Sequence, residues 1–578
     1  MKKSILILLL FALLIDTTVT AQVLFDGKAA AVDKLTGTWL ITVPKSTFGT
    51  DYTASVTLGH SVTRCIINGD TVNGSYTFRD IQPGSNYRLQ QISGHDTINA
   101  NIQFTFWPVI QIYGNFAKTP YRTATVICTL PNTTVQESIP SRVRWAGSST
   151  AGPYREKRNY HLKFYNADGS KKEMSFFGLR SDFHWRLDAG QIDFARVRNR
   201  VAKDIWASFA SAPYYAALEP KTVRNYVRGD FVEVFLNDEY MGIYSLNEHM
   251  DRQQLKLMKY DYDKGEFHGG LWKPMKWSDV TTFNILPSTV TANQKTWDQF
   301  YVKYPNIDDV NPTNFMTLYD AIRFTINASD KQFMDSAQYY FDIPVFRDYY
   351  LFTTLLQAPD NIGKNLYYAC YDVQTDKRLT IAIWDLDCTQ GQYWSNNGGW
   401  YHFQDTGPEN DFRNDKFMGG HRAFKRLWSC IPSFHGLATE RYWALRQSTF
   451  NPDSILARYR AYFDEMKACG ADKREIARWS KNGYDLDGKE LNFEQEYDYL
   501  KEWWTRRIAY LDTHVFIPYP MGDVTFDHQV TIKDVTTLID YLLEESLETI
   551  NLNKADFNHN GEVDTEDMTS IIDLLLGQ

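Results

Sequence analysis

Asp360, Asn365, Asp385 and Asp387 carry the oxygens that could do chemistry in this chain. The first two have the spacing Asp-x-x-x-x-Asn. A tyrosine-rich strand follows at Leu366 to Cys370, then a polar turn at Asp372 to Lys377. A second strand, Leu379 to Trp384, delivers Asp385-Leu-Asp387. Carboxylate and amide oxygens are ligands for a hard divalent cation. A further carboxylate could accept or orient a hydroxyl. Phosphoryl transfer asks for these parts, because it rests on positioning and charge neutralisation more than on covalent help. The same pattern also suits a polar hairpin loop with no ligand.

Protein kinases place an Asp, four residues, an Asn, and then a strand ending in a metal-binding Asp. This chain has Ala358-Pro359 where His-Arg is usual, and no Phe-Gly after Asp385. Tyr340-Phe341-Asp342, Asp360…Asn365-Leu366-Tyr367 and Trp384-Asp385-Leu386-Asp387 together resemble the CotH family of secreted atypical protein kinases. The resemblance implies ATP as phosphoryl donor and a Ser or Thr hydroxyl of a protein substrate as acceptor. It implies Asp360 as the base. Asn365, Asp385 and Asp387 would be ligands for Mg²⁺ or Mn²⁺.

The elements that must position these groups run from about residue 103 to 516. Arg142 to Ser149 ends in a Gly147-Ser148-Ser149 turn, and backbone N–H groups of such a turn can lie over phosphates. Lys157-Arg158-Asn159-Tyr160 follows, similar to the family's Lys-(Lys/Arg)-x-Tyr. With strand period 2, Tyr160, Leu162 and Phe164 face one way, and His161 and Lys163 the other. Lys157 and Lys163 are therefore candidates for the phosphate end, or members of a solvated strand face. Leu187 to Phe209 has an apolar stripe near helical period, and its Asp193…Arg198-Asn199 matches a family element. Phe231 to Ser245 alternates as a hairpin about Asn237-Asp238. Glu248 follows; it could pair a phosphate-binding lysine, or serve as a cap or salt bridge. Gly270-Leu-Trp-Lys273 resembles Gly-x-Leu-Tyr-Lys, which makes Lys273 a second candidate for the nucleotide. Helices are expected over Pro312 to Asn327, Pro344 to Leu356, His421 to Leu445, Ser454 to Lys467 and Glu494 to His514. Gly391 to Asn414 is either a substrate-facing or a plain surface loop.

Residues 1–21 read as a bacterial signal peptide: Met1-Lys2-Lys3, an apolar run from Ile5 to Ile15, and a small-residue site at Val19-Thr20-Ala21. That run is too short to span a membrane, and no later segment is long and apolar enough. A secreted or surface-associated protein is expected. Residues 22–102 alternate as short strands with Asn68-Gly69 and Asn73-Gly74 turns, so a small β-sandwich of unassigned role is expected. The six Cys show no metal-ligand spacing, and Cys388 reads as a buried thiol.

The net charge is −9, yet residues 522–578 alone hold 13 acidic and 2 basic side chains. The body is thus near neutral and the tail acidic, which points to cations and not to nucleic acid. Asp556, Asn558, Asn560, Glu562, Asp564 and Asp567 fall at positions 1, 3, 5, 7, 9 and 12 of a twelve-residue Ca²⁺ loop. Gly561 stands at the sharp turn, and Glu562 contributes its backbone carbonyl. The Asp at position 12 and the single following helix resemble dockerin modules, which implies a cohesin-type scaffold or surface partner. The first unit, Asp523 to Asp534, has Thr525 at position 3 and His528 at the turn, so weak or no metal is expected there. The expected fold class is α+β: an atypical protein-kinase-like domain, preceded by a small β-sandwich and followed by a small all-α dockerin-like domain. A second function stays open, a catalytically inactive structural or carbohydrate-associated module of a cell-surface or cellulosome-like complex.

Overall fold

The computed structural model describes residues 22–133, 136–147, 156–288, 292–293, 296–305, 315–394, 400–402, 407–409, 420–480, 490–544 and 549–577. The expected signal peptide, Ser148-Ser149 of the Gly/Ser turn and most of the loop from Gly391 to Asn414 lie outside them. The mixed α+β class is as expected, with strands leading and helices following.

The N-terminal strands form a four-stranded and a six-stranded sheet. Their inner faces share one cluster that includes Trp39, Ile67, Phe78 and Phe104. Asn68-Gly69 makes the tight turn between Arg64–Ile67 and Asp70–Thr71, both residues at positive φ (51° and 94°). The last strand, Asp96–Thr105, continues to the edge of the next unit. Ala31 and Leu40 then pack on Val109, Phe235 and Tyr240 of that unit.

Seven strands from Val109 to Asn247 close into a barrel; Val109–Tyr113 and Gly229–Leu236 pair in parallel to shut it. Tyr160, Leu162 and Phe164 point inward with Trp185, Leu187, Val234 and Tyr244, the face that their alternation predicts. The hairpin of Gly229–Leu236 and Glu239–Asn247 turns through Asn237 and Asp238 at φ 50° and 64°. Short polar side chains tolerate those left-handed values in a two-residue turn.

The helix expected from Leu187 is shorter than its apolar stripe. Leu187 is claimed by the barrel, where it pairs with Tyr160 and Leu246. The helix itself is Arg198–Phe209. Its start is fixed by the Asp193 carboxylate, which accepts from the Arg198 N–H at 2.7 Å and the Ala195 N–H at 2.9 Å. Arg198 is fully buried and bridges Asp193 and Glu496, so it ties this helix to Phe493–Tyr510. The single helix expected over His421 to Leu445 is two, Arg422–Cys430 and Pro432–Arg446. Pro432 lacks the N–H that continuation would need.

A second sheet places Leu366–Cys370 between Gly270–Pro274 and Thr380–Ile383. Against it lies a large aromatic core that includes Trp206, Trp272, Tyr349, Phe352, Phe424 and Trp504. All six Cys are free thiols, and Cys388 is buried. No described helix is long and apolar enough to cross a membrane. The acidic tail packs helices Ile532–Leu542 and Thr565–Leu576 around Val524, Leu538 and Ile571. It rests on the body where Phe526 fills the space that Gly436 leaves open: a Cβ there would stand 1.9 Å from the ring.

One buried carboxylate fastens barrel to helices. Glu475, on Ala471–Trp479, accepts from Lys157 Nζ at 2.7 Å, Arg196 Nε at 2.7 Å and the Ile243 N–H at 2.8 Å. Gly242 is required beside it, since a Cβ would come within 2.0 Å of Glu475 Oε2. Removing one partner of such a buried set strands the other charges, at a cost of about 3–5 kcal/mol. Glu475→Leu is therefore expected to lower the thermal unfolding midpoint sharply in calorimetry. An unchanged midpoint would mean that Lys157 and Arg196 find other partners.

Candidate active site

Asp360 sits in a short 3₁₀ turn, Pro359–Asn361, after the helix Ile343–Leu356. Two contacts pin this loop from outside. Trp277 Nε1 donates to the Pro359 carbonyl at 3.4 Å. Gly363 lies flat against Trp277 and Thr282, where a Cβ would be 2.9 and 3.0 Å from them. Within the loop, Asn365 Nδ2 donates to Asp360 Oδ2 at 2.8 Å, and Lys364 Nζ stands 3.0 Å from the same oxygen.

The strand pair Leu366–Cys370 and Thr380–Ile383 brings Asp385 back to this loop. The tie is Asn361, a residue the sequence reading passed over. Its Nδ2 lies 2.8 Å from the Trp384 carbonyl, 3.0 Å from that of Asn365 and 3.3 Å from that of Asp385. Tyr349 in turn donates to the Asn361 carbonyl. Both Asn365 and Asp385 adopt left-handed φ, 57° and 54°. Asn and Asp are the non-glycine types that best tolerate such values. The Asp-x-x-x-x-Asn spacing and the Asp385 corner are therefore joined in space.

Asp387 completes an acidic group. It is only partly exposed, and its carboxyl is pushed well above the ordinary range by burial, then by Asp385, Asp188, Asp360 and Asp193. Burial likewise raises Asp360, with Asp385 adding and Lys364 and Asn365 opposing. Like charges about 5 Å apart repel by about 3 kcal/mol at an effective dielectric of about 20. A site so composed favours a bound dication. The buried Asn361 Oδ1, beside this group, is an acceptor with no hydrogen-bond partner among the described residues. These oxygens fit Mg²⁺ or Mn²⁺, which take oxygen ligands.

Cations face the acids from the other side. Arg186, Lys273 and Lys203 surround the Trp384 ring at 4.9, 5.2 and 5.9 Å from its centroid. Burial pulls Lys273 down to about 7, with Asp385 the largest opposing influence. Burial pulls Lys203 to about 8, with Arg200 adding to it and Asp188 opposing. Two small adjoining clefts of about 10 Å³ each, room for about one water, share Asp188, Asn199 and Lys203; one reaches Asp385 and the other Asp387. A larger groove, along Thr317, Arg323, Phe324 and Tyr340, contains none of these groups. Asn199 links the two sides, since its Oδ1 accepts from the Leu386 N–H at 3.1 Å and its Nδ2 donates to Asp188 at 2.6 Å. Lys203 stands one helical turn after Asn199, on the same face. That spacing was the signal by which it could have been found.

The other expected residues have other surroundings. Lys157 is fully buried, bound to Glu475 and the Ile243 carbonyl. Lys163 lies over the Tyr121 ring at 4.6 Å, with Arg144, Lys171 and Arg142 nearby. Glu248 pairs with Arg228 at 2.7 Å and accepts the N–H groups of Arg180 and Arg228, each at 3.0 Å; no lysine pairs with it among the described residues. Burial works to raise its carboxyl, but Arg228 and those donors outweigh it and hold it below the ordinary range.

In the tail, the Asp556 carboxylate accepts from the N–H groups of Asn560 and Gly561, each at 3.0 Å, and Asn560 Oδ1 from Glu562 at 2.7 Å. Asp567 holds the loop ends through Phe557 at 2.8 Å and Asp564 at 3.0 Å. The first loop folds alike on Asp523 and Asp534. However, Thr525 gives its hydroxyl to Asp534 at 3.0 Å, and His528 stacks on Tyr519.

Residues 143–511 match the CotH kinase protein family. Residues 521–576 match the dockerin type I domain, whose members generally bind calcium. No curated protein matches the chain.

The crowding of carboxylates carries a prediction. Asp387→Asn is expected to raise the thermal midpoint of the metal-free protein, by on the order of 1 kcal/mol of relieved repulsion. It is also expected to abolish the stabilisation that added Mn²⁺ gives the parent. A lower midpoint without metal would refute the repulsion account.

Proposed function

Given that the chain belongs to the CotH kinase protein family, we propose that it transfers the γ-phosphoryl group of ATP to Ser or Thr hydroxyls of an extracellular or surface protein. The observation that most supports this reading is the convergence of Asp360, Asn365 and Asp385 through the Asn361 amide. Asp360 would orient the acceptor hydroxyl and take its proton. Asn365, Asp385 and Asp387 would hold Mg²⁺ or Mn²⁺, which when bound neutralises phosphate charge. Lys273, Lys203 and Arg186, grouped on Trp384, would meet the phosphate end. Lys163 stands further along the barrel face as an additional cation.

Asp556, Asn558, Asn560, Asp564 and Asp567, with the Glu562 carbonyl, would hold Ca²⁺. The tail would then tether the enzyme to a cohesin-type partner, in keeping with export through residues 1–21. The alternative reading, an inactive kinase-like structural module, draws on one observation: Lys157 and Glu248 are spent on Glu475 and Arg228, not on each other.

Calorimetric titration with ATP and Mn²⁺ separates the two. The active reading expects nucleotide binding that Asp385→Ala removes, and radiolabel transfer that Asp360→Ala cuts by roughly 10²–10⁴-fold with binding kept. Absence of nucleotide heat in the parent would remove the kinase assignment. For the tail, Ca²⁺-induced helicity in circular dichroism is expected to vanish in Asp556→Ala. A spectrum indifferent to Ca²⁺ in the parent would rule the loop out as a metal site.

A further inference from the structure

Three imidazoles meet on the outer face of the barrel, apart from the acidic group. His161 lies on the strand Asn159–Phe164, and His184 opens the neighbouring strand His184–Asp188. The register sets Lys163 opposite His184 and Arg186 opposite His161, so the two histidines share one face, on a diagonal. His249 reaches them from the turn after Glu239–Asn247. One ring nitrogen from each lies within 4.8 Å of the other two. His184 Nε2 and His161 Nδ1 are 3.2 Å apart. Two nitrogens on a tetrahedral zinc, with bonds of about 2.05 Å, stand roughly 3.3 Å apart.

We propose that His161, His184 and His249 form a zinc site that fastens the Glu248–Asp251 turn to the barrel wall. The donor set decides the class of metal. Neutral imidazole suits zinc and its late first-row neighbours, whereas Mg²⁺ and Ca²⁺ want oxygen. This site is thus chemically separate from the acids at Asp385 and from the tail loop.

Three further features support it. A metal-bound histidine usually presents its other ring nitrogen to a carboxylate. Asp251 Oδ2 stands 3.7 Å from His249 Nδ1, and Arg180 holds that carboxylate at 2.8 Å. The turn already has one fastener, since Arg180 Nη2 also donates to the His249 carbonyl at 3.1 Å. His249 is stacked on His184, ring centroids 4.0 Å apart. A fourth position lies toward Tyr121, whose hydroxyl is 3.4 Å from His184 Nε2.

The charged groups around the cluster set its limits. Arg186, Arg144 and Lys163 oppose a bare dication, and Asp251 offsets them in part. The same cations favour an anion, such as hydroxide or a substrate carboxylate, in the fourth position.

The test uses full-length protein stripped with a chelator, then titrated with ZnCl₂ while excess Mg²⁺ and Ca²⁺ occupy the oxygen sites. One tight zinc per chain is expected. His249→Gln and His184→Asn should each weaken it by at least about tenfold, while Asp385→Ala and Asp556→Ala leave it intact. Co²⁺ in place of zinc should give the visible bands of a low-coordinate nitrogen site, lost in the same two histidine variants. His249 is partly exposed on a turn, so its variant keeps the fold even if His184→Asn does not. Zinc binding that is absent, or that persists unchanged in His249→Gln and His184→Asn, overturns the proposal.

Discussion

The candidate site depends on one buried amide. Asn361 Nδ2 reaches carbonyls on both sides of a hairpin, one of them 24 residues away in sequence. Without that bridge, Asp360 and Asp385 would sit on two loops free to spread under their own repulsion. The bridge works only because Asn365 and Asp385 turn their backbones left-handed, so that both carbonyls face inward. Backbone carbonyls are scarce ligands in a packed interior, where each normally has a partner. Spending three on one side chain is a local arrangement that the surrounding hairpin and Tyr349 must hold in place.

Around that bridge, opposite charges are sorted by element. The carboxylates come from loop corners at Asp360, Asp385 and Asp387 and from the end of a barrel strand at Asp188. The cations come from rigid elements: Arg186 from the barrel, Lys203 from the helix Arg198–Phe209, Lys273 from the second sheet. Trp384 lies between and receives all three cations on its ring. An aromatic face attracts cations without neutralising them, while burial pulls Lys273 and Lys203 down, so an anionic ligand would favour their charged forms. Deeper in, the pairing is different. Lys157, Arg196 and Glu475 cancel one another, as do Arg198, Asp193 and Glu496. The first arrangement leaves charge available to a ligand; the second uses it to lock barrel to helices.

The tail extends the same division. In the second loop Asp556 is half-buried and Asn558 and Asn560 are exposed, whereas the first loop buries Asp523 and lodges Phe526 against Gly436; the twelfth-position acids, Asp534 and Asp567, are buried in both. Two units of similar sequence thus differ in use. One presents an open acidic loop, and the other anchors the module to the helix Pro432–Arg446.

Much of this was legible in the residues themselves. Strand alternation predicted the N-terminal sheets, the inward face of Tyr160 to Phe164 and the hairpin about Asn237-Asp238, because period 2 and turn chemistry act over a few residues. The order of the metal-type oxygens, from Asp360 through Asp567, was likewise a matter of spacing along one chain. What the spacing left undecided was which partner each charged side chain would meet. Lys157 found Glu475 across 318 residues, and Glu248 found Arg228 in place of a lysine. Leu187 joined a strand because Tyr160 and Leu246 were waiting for it, although its local pattern was helical. Asn361 and the three histidines have no linear signature, since their partners come from strands and turns far apart in sequence. Local periodicity writes elements into a sequence; only the packing of those elements decides which polar groups share a buried space, because only then does burial make an unpaired charge expensive.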